Sequence, residues 1–540
     1  MRCFAALVLL IPFGSSTCDA AEVGLRKMNI VFAFADDFGR YASAYARHDG
    51  AGGVNELIRT PNIDLVAGRG VLFLNAHVSS PSCTPCRSAL LSGRHFWQTG
   101  RGAILSGAVW DSGIPSFPLL LRDGGYHIGK SHKVWSPGQP ADAPFGGQRY
   151  AYERAGREVN QFSQVVTREV AAGADLQSAK DRIYGQVREN FRDFLDAREE
   201  GLPFCYWFGP TNTHREWTRG SGKALWKIDP DSLKGRMPKF LPDVAEIRED
   251  FADYLGECLA FDAYVGVLIE ELKVRGEWEN TLFVISGDHG APGFTHGKCN
   301  LYDFGTAVTL AMCGPGIAGG RVVNDFVSLP DLAPTFLDAG GVAVPDGMSA
   351  RSLMPLLRSG KAGQVEVERD FVITGRERHV DSARGGSLPY PQRAIRTGSH
   401  LYIINFEPER YPMGDLQPPG KQGGEPTLEQ LLHDTRSVFP DLDAGPTKAW
   451  LFRQRGNPEW KVEVEMAFGK RPGEELYEIS SDPYQIRNLA GDPAHEEVRK
   501  KLRERLLGVL EKTGDPRVCG DRLTFERPPF APGGKDGSER

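Results

Sequence analysis

Two short apolar runs, each ending abruptly in acidic residues, organise this chain. NIVFAFA at 29–35 runs into Asp36-Asp37, and TLFVIS at 281–286 runs into Gly287-Asp288-His289-Gly290. Uninterrupted apolar runs of this length predict strands buried on both faces, as in a parallel sheet under helices. Between them the apolar spacing lengthens to that of helices. Residues 182–199 put Ile183, Val187, Phe191 and Phe194 on one face, residues 254–274 repeat the pattern, and 118–123 end in Gly124-Gly125, a helix stop before a strand beginning near 126–129. Strand and helix alternate in this way over roughly 350 residues, which predicts a doubly wound α/β domain. In open sheets of that kind ligands gather at the carboxyl ends of the strands, where the acids of both runs fall.

The texture changes after about residue 357. Apolar segments at 402–406, 460–466 and 476–479 predict strands separated by polar, Pro/Gly-rich loops, and 495–512 predicts a charged amphipathic helix. The expected organisation is a large α/β domain over 22–360 and a smaller α+β domain with a short antiparallel sheet over 361–540. Two domains also suit a length of 540 residues.

The first 21 residues read as an export signal: Arg2, an apolar run from 4 to 13 too short to span a bilayer, and small residues up to Ala20-Ala21. No later run is long and apolar enough for a span. Cleavage there leaves Cys83, Cys86, Cys205, Cys258, Cys299, Cys313 and Cys519, too scattered for a disulfide framework. Export without any Asn-x-Ser/Thr acceptor points to the bacterial periplasm or secretion rather than to a lysosome. A net charge of −6 with no basic stripe argues against nucleic-acid binding.

The chemistry concentrates at Cys83-Thr84-Pro85-Cys86-Arg87, which leads through Ser88-Ala89-Leu90-Leu91 to Ser92-Gly93-Arg94. Cys-x-x-Cys admits a thiol-redox pair or half of a zinc site, but no second ligand pair stands nearby. Cys83 precedes a good helix start, where free N–H groups favour an anionic oxygen. Asp36, Asp37 and Asp288, brought to one sheet edge, need a cation, and hard oxygen donors suit calcium or magnesium.

The Cys83–Arg94 segment resembles the signature of the type I sulfatases, in the alkaline phosphatase superfamily. Further elements follow in that family's order: Gly129-Lys130-Ser131-His132, Pro203-Phe204 leading to His214, Asp288-His289, His296-Gly297-Lys298 and Glu475-Leu476-Tyr477. The resemblance implies an alkaline-phosphatase-like fold and conversion of Cys83 to formylglycine by a generating enzyme. It also implies a calcium ion (magnesium less so) held by Asp36, Asp37, residue 83, Asp288 and His289. His289 stands where many members have asparagine, and imidazole is a softer donor than calcium prefers. Catalytic roles fall to Cys83, Arg87, Lys130, His132, His214 and Lys298: cations on the sulfate, His214 or Lys298 as acid, and His132 as the base of the second step.

Within the family the chain is most similar to the sulfamidases (N-sulfoglucosamine sulfohydrolases), through Asn300-Leu301-Tyr302, Tyr390-Pro391 and Gly514-Asp515-Pro516-Arg517-Val518-Cys519. That likeness implies hydrolysis of a sulfated glycosaminoglycan-type saccharide, with Glu377, Arg378 and His379 as sugar contacts, and it admits a homodimer. Asn212-Thr213 before His214, and lysine at 298, depart from the sulfamidase pattern near the leaving group. O-sulfatase action on another polysaccharide therefore stays open. So do a phosphatase or phosphonate hydrolase of the superfamily and a non-catalytic or thiol-redox protein.

Overall fold

The computed structural model describes residues 27–418 and 424–533; the expected leader, 1–21, lies outside them. A seven-stranded sheet has the order β3-β4-β1-β5-β6-β2-β7. Its strands are β1 (Asn29–Ala35), β2 (Val71–His77), β3 (His127–His132), β4 (Phe204–Gly209), β5 (Thr281–Gly287), β6 (Leu310–Cys313) and β7 (Arg321–Ser328). β1 runs parallel to β4 and β5, β3 parallel to β4, and β2 parallel to β7, while β6 is antiparallel to both β5 and β2. The sheet is therefore mixed, and apart from β6 its carboxyl ends share one edge.

The alternation along β1 shows why that run is wholly apolar. Val31, Ala33 and Ala35 join one core with the helices Leu176–Asp196 and Ala245–Val274. Ile30, Phe32 and Phe34 face a second core with Leu90 and Leu91 of helix Cys83–Ser92 and with Phe336 of helix Leu332–Ala339. Both faces are covered by helices, as the doubly wound expectation requires.

The second sheet is antiparallel throughout, in the order β11-β10-β9-β8, from β8 (Phe371–Arg376), β9 (Gln392–Thr397), β10 (His400–Asn405) and β11 (Glu474–Glu478). Leu502, Leu506 and Leu510 of helix Glu496–Lys512 pack on it together with Phe96 and Trp97 from the chain just after helix Cys83–Ser92. The fold is thus a large α/β mixed sheet flanked by helices plus a smaller α+β part.

The strand expected at 460–466 is a helix, Lys461–Phe468. The alternating Val-Glu-Val-Glu imitates a strand, but Val462 is exposed. Val464, Ala467 and Phe468, at helical spacing, pack with Phe439, Phe452 and Trp450 instead.

Candidate active site

Every approach to the site comes from a strand's carboxyl end. Asp36 follows β1, and Asp37 next to it takes a left-handed φ of 58°, a conformation that aspartate tolerates better than most residues. The turn lets the Asp37 amide donate to Asp288 Oδ1 at 2.7 Å. Asp288 follows β5, the neighbour of β1, and its own amide donates to the Ala35 carbonyl at 3.2 Å.

Cys83 opens helix Cys83–Ser92, with Ser82 extended before it and Gly93 in the left-handed region closing it. Pro85 fits the first turn, where its missing N–H costs no hydrogen bond. All ten residues of this helix are buried. The Cys83 Sγ lies 3.4 Å from His289 Nε2 and 3.9 Å from Asp37 Oδ1. One turn on, Arg87 donates through Nε to Asp288 Oδ2 at 2.8 Å and through a terminal nitrogen to Asp36 Oδ1 at 3.1 Å. Its other terminal nitrogen reaches the carbonyls of Lys133 and Val134, so this guanidinium ties two strand ends to the helix.

Lys298 Nζ lies 3.1 Å from Asp37 Oδ2. His214, beyond β4, places Nε2 at 3.9 Å from the same oxygen and is 35% exposed, so it stands at the mouth of an otherwise buried cluster. Burial opposes ionisation of Asp36, yet Lys133 and Arg87 outweigh it and hold its carboxyl well below the usual range. Burial pushes Asp288 upward despite His289 and Arg87. The Cys83 thiol is pushed well above its ordinary value, by burial and by Asp36. As a thiol, then, residue 83 is a poor nucleophile here, since only the thiolate attacks.

Two groups of side chains can each close on an ion: Asp37, Cys83 and His289, and Asp36, Cys83 and Asp288. The His289 ring fits this. Its Nδ1 lies 3.2 Å from the Gly290 carbonyl, which can only accept, so the proton sits on Nδ1. Nε2 therefore faces Asp37 Oδ1 at 3.2 Å and Asp288 Oδ1 at 3.6 Å, the position from which its lone pair would serve an ion. Carboxylates with one imidazole suit a divalent cation.

The remaining expected residues divide. Lys130 does not join the carboxylates: its Nζ meets the His132 carbonyl at 2.9 Å, Asp142 at 2.8 Å and Glu153 at 3.1 Å. His132 faces Asn160 at 3.3 Å, its Nε2 has no hydrogen-bond partner, and burial lowers its pKa to about 3, keeping the ring neutral. The lysine that this segment brings to the carboxylates is Lys133, 2.7 Å and 2.9 Å from the two oxygens of Asp36. The left-handed φ of 67° at His132 breaks the strand alternation just before it, a turn that the Gly-Lys-x-His spacing gives no sign of.

Glu377 is held within the protein. Arg393 at 2.9 Å and Arg517 at 2.6 Å meet its carboxylate oxygens in a buried ion network that braces the second sheet. Arg378 donates to the Ser106 carbonyl at 2.6 Å. His379 Nδ1 lies 2.8 Å from Ser82 Oγ, directly before Cys83. Asp443, which the sequence does not flag, lies 3.4 Å from Lys298.

Lys133 and Lys130 make opposite predictions. Lys133→Ala removes a cation from buried Asp36 and should cut kcat by about 10²-fold or more, the scale of losing one donor to developing charge. Lys130→Ala should cost chiefly stability, read as a lower Tm with a smaller change in kcat.

Comparison with known proteins places this arrangement. The family model described as Sulfatase matches residues 28–342, more than half of the chain, and the protein belongs to the sulfatase family, hydrolases of sulfate esters or sulfamates. It is 27% identical to the human N-sulphoglucosamine sulphohydrolase over 519 residues, 92% of each chain. It is 26% identical to an ulvan-active sulfatase of Formosa agariphila over 502 residues, 91% of this chain and 81% of that one.

Among solved structures, a protein in complex with its substrate D-glucosamine-2-N,6-O-disulfate superposes with a TM-score of 0.57 at 18% identity, covering 91% of this chain and 98% of that one. A phosphonate monoester hydrolase of Agrobacterium radiobacter superposes at 0.58 and 18%, covering 90% and 96%. The fold is therefore shared with phosphonate chemistry, and the match to the family model is what assigns sulfate. Among the described residues no helix is long and apolar enough to cross a membrane.

Proposed function

We propose that this protein removes sulfate from a glycosaminoglycan-type saccharide, with the sulfamate of N-sulfoglucosamine as its first substrate. It acts after export to the periplasm or medium. Residue 83 works as formylglycine, made from Cys83 by a generating enzyme, and Asp36, Asp37, Asp288 and His289 would hold calcium. The observation that carries this reading is the placement of Cys83 at a buried helix start against that donor cluster. When present, the aldehyde hydrate supplies an oxygen nucleophile that can later release sulfate and reform, and the cation supplies positive charge beside it.

The chain's own side chains do the rest. Lys298, Lys133 and Arg87 offset the charge of the carboxylates and of the incoming sulfate, so that the anion is gripped without repulsion. His214 sits at the mouth, with Nδ1 against the Arg215 carbonyl at 2.5 Å and Nε2 toward the site; in its protonated form it donates to the departing nitrogen or oxygen. The family likeness gives His132 the proton that accompanies sulfate release; its Nε2 is free of hydrogen bonds, and uptake of a proton there works against the burial that keeps the ring neutral. His379 and Arg378 line the approach from the second sheet.

The similarity to ulvan-active sulfatases supports a second reading, O-sulfatase action on another polysaccharide. Sulfate release from N-sulfoglucosamine, glucosamine 6-sulfate and ulvan oligosaccharides separates the two. Turnover of N-sulfoglucosamine above the others supports the first, and release only from ulvan oligosaccharides replaces it with the second.

A further inference from the structure

Asp443 is brought to the site by a loop with no counterpart in the expectations drawn from the sequence, and that loop is firmly built. Two residues earlier, buried Asp441 accepts from Arg376 and Arg384 and from the Val380 amide at 2.9 Å. The buried Lys448 ammonium donates to the carbonyls of Thr435, Phe439 and Leu442 at 3.1, 3.3 and 2.7 Å. These bonds fix the backbone before residue 443, and the amides of Ala444 and Gly445 fix it beyond, donating to Thr435 Oγ1 at 2.9 Å and the Leu431 carbonyl at 3.2 Å.

The Asp443 side chain is 13% exposed, and its Oδ2, 3.4 Å from Lys298 Nζ, makes an ion pair but no hydrogen bond. Burial opposes its charge, but Lys298, His214 and His379 outweigh burial and keep it an acceptor-only carboxylate. Lys298 bonds Asp37 Oδ2, whereas Cys83 lies against Oδ1 of the same group. Asp443 therefore meets the Lys298 end of the cluster and feels the charge of His214, the residue at which the site opens to solvent.

We propose that Asp443 determines specificity by accepting a hydrogen bond from a donor on the sugar at or beside the scissile bond. This rests on the saccharide sulfatase reading given above. A sulfamate carries such a donor on its bridging nitrogen. The bridging oxygen of a sulfate ester does not, so an ester would need a neighbouring hydroxyl. An aryl sulfate offers neither, and it leaves the Asp443 oxygen without a hydrogen bond.

The test compares kcat/KM for N-sulfoglucosamine with that for 4-nitrophenyl sulfate, in wild type and in Asp443→Ala. The ratio of the two should fall by about 10- to 100-fold in the variant, the scale of one charged hydrogen bond, whatever the loss on the aryl ester. A parallel loss on both substrates would mean that Asp443 only positions Lys298, and would overturn this inference alone. If the variant does not fold, the wild type is assayed on glucosamine 6-sulfate and on its analogue with the neighbouring hydroxyl methylated. A similar loss supports the proposal, and equal turnover overturns it. Wild type that cleaves the aryl ester but no saccharide overturns both this inference and the saccharide reading.

Discussion

Replacing Cys83 by alanine is expected to abolish sulfate release, lowering kcat by roughly 10⁴-fold or more, while the circular dichroism and Tm stay close to wild type. The side chain is buried but small, and the helix it opens keeps its other nine residues and its packing on Leu90 and Leu91. Cys83→Ser sharpens the test. A serine hydroxyl at this position can accept sulfate but has no second hydroxyl on the same carbon with which to expel it. That variant should therefore give at most one turnover per molecule. Sustained turnover by either variant would show that residue 83 is not the attacking group.

The second large effect is structural. Arg87→Met should destabilise the metal-free protein by about 3–5 kcal/mol in urea unfolding, because it strands buried carboxylates that have lost their partner. Asp36 and Asp288 are both within reach of this guanidinium and both buried. Two lines of backbone carbonyl contact go with it. Calcium should restore part of the loss, since a cation between the same carboxylates replaces some of the missing charge. A change below about 1 kcal/mol in chelator would mean that the carboxylates find compensation elsewhere.

The parts of the site that could be read from the sequence are those written in one stretch of chain. β1 and β5 are legible because an unbroken apolar run followed by acids has one economical explanation, a doubly covered strand ending at a polar edge. Cys83 and Arg87 are legible because one helical turn separates them. Three features were not. The helix Lys461–Phe468 was hidden because a two-residue alternation outweighed a weaker helical pattern, which only tertiary packing on Phe439 selects. Lys133 was hidden because a single positive φ at His132 redirects the chain, and backbone turns at non-glycine residues leave little trace in composition. The surroundings of Glu377 and Asp443 were hidden because their partners lie far along the chain. Arg393 and Arg517 neutralise Glu377 from 16 and 140 residues away, while Arg376 and Arg384 anchor the loop of Asp443 through Asp441 from 65 and 57 residues away.

The same geometry accounts for Cys86. It lies within the same first turn as Cys83, is buried, and packs in the core with Leu90 and Leu91; both cysteines are free. A redox pair needs a low-pKa, accessible thiol, whereas burial pushes both of these thiols well above their ordinary value. The arrangement argues against a pair that cycles between thiol and disulfide.

The most direct measurement is the mass of the proteolytic peptide containing residue 83, taken from enzyme that is releasing sulfate and treated beforehand with an alkylating reagent. The account predicts an aldehyde at 83, one alkylated thiol at Cys86, and activity in proportion to the aldehyde fraction. Active enzyme whose peptide carries two alkylated thiols, or a Cys83–Cys86 disulfide, would contradict it.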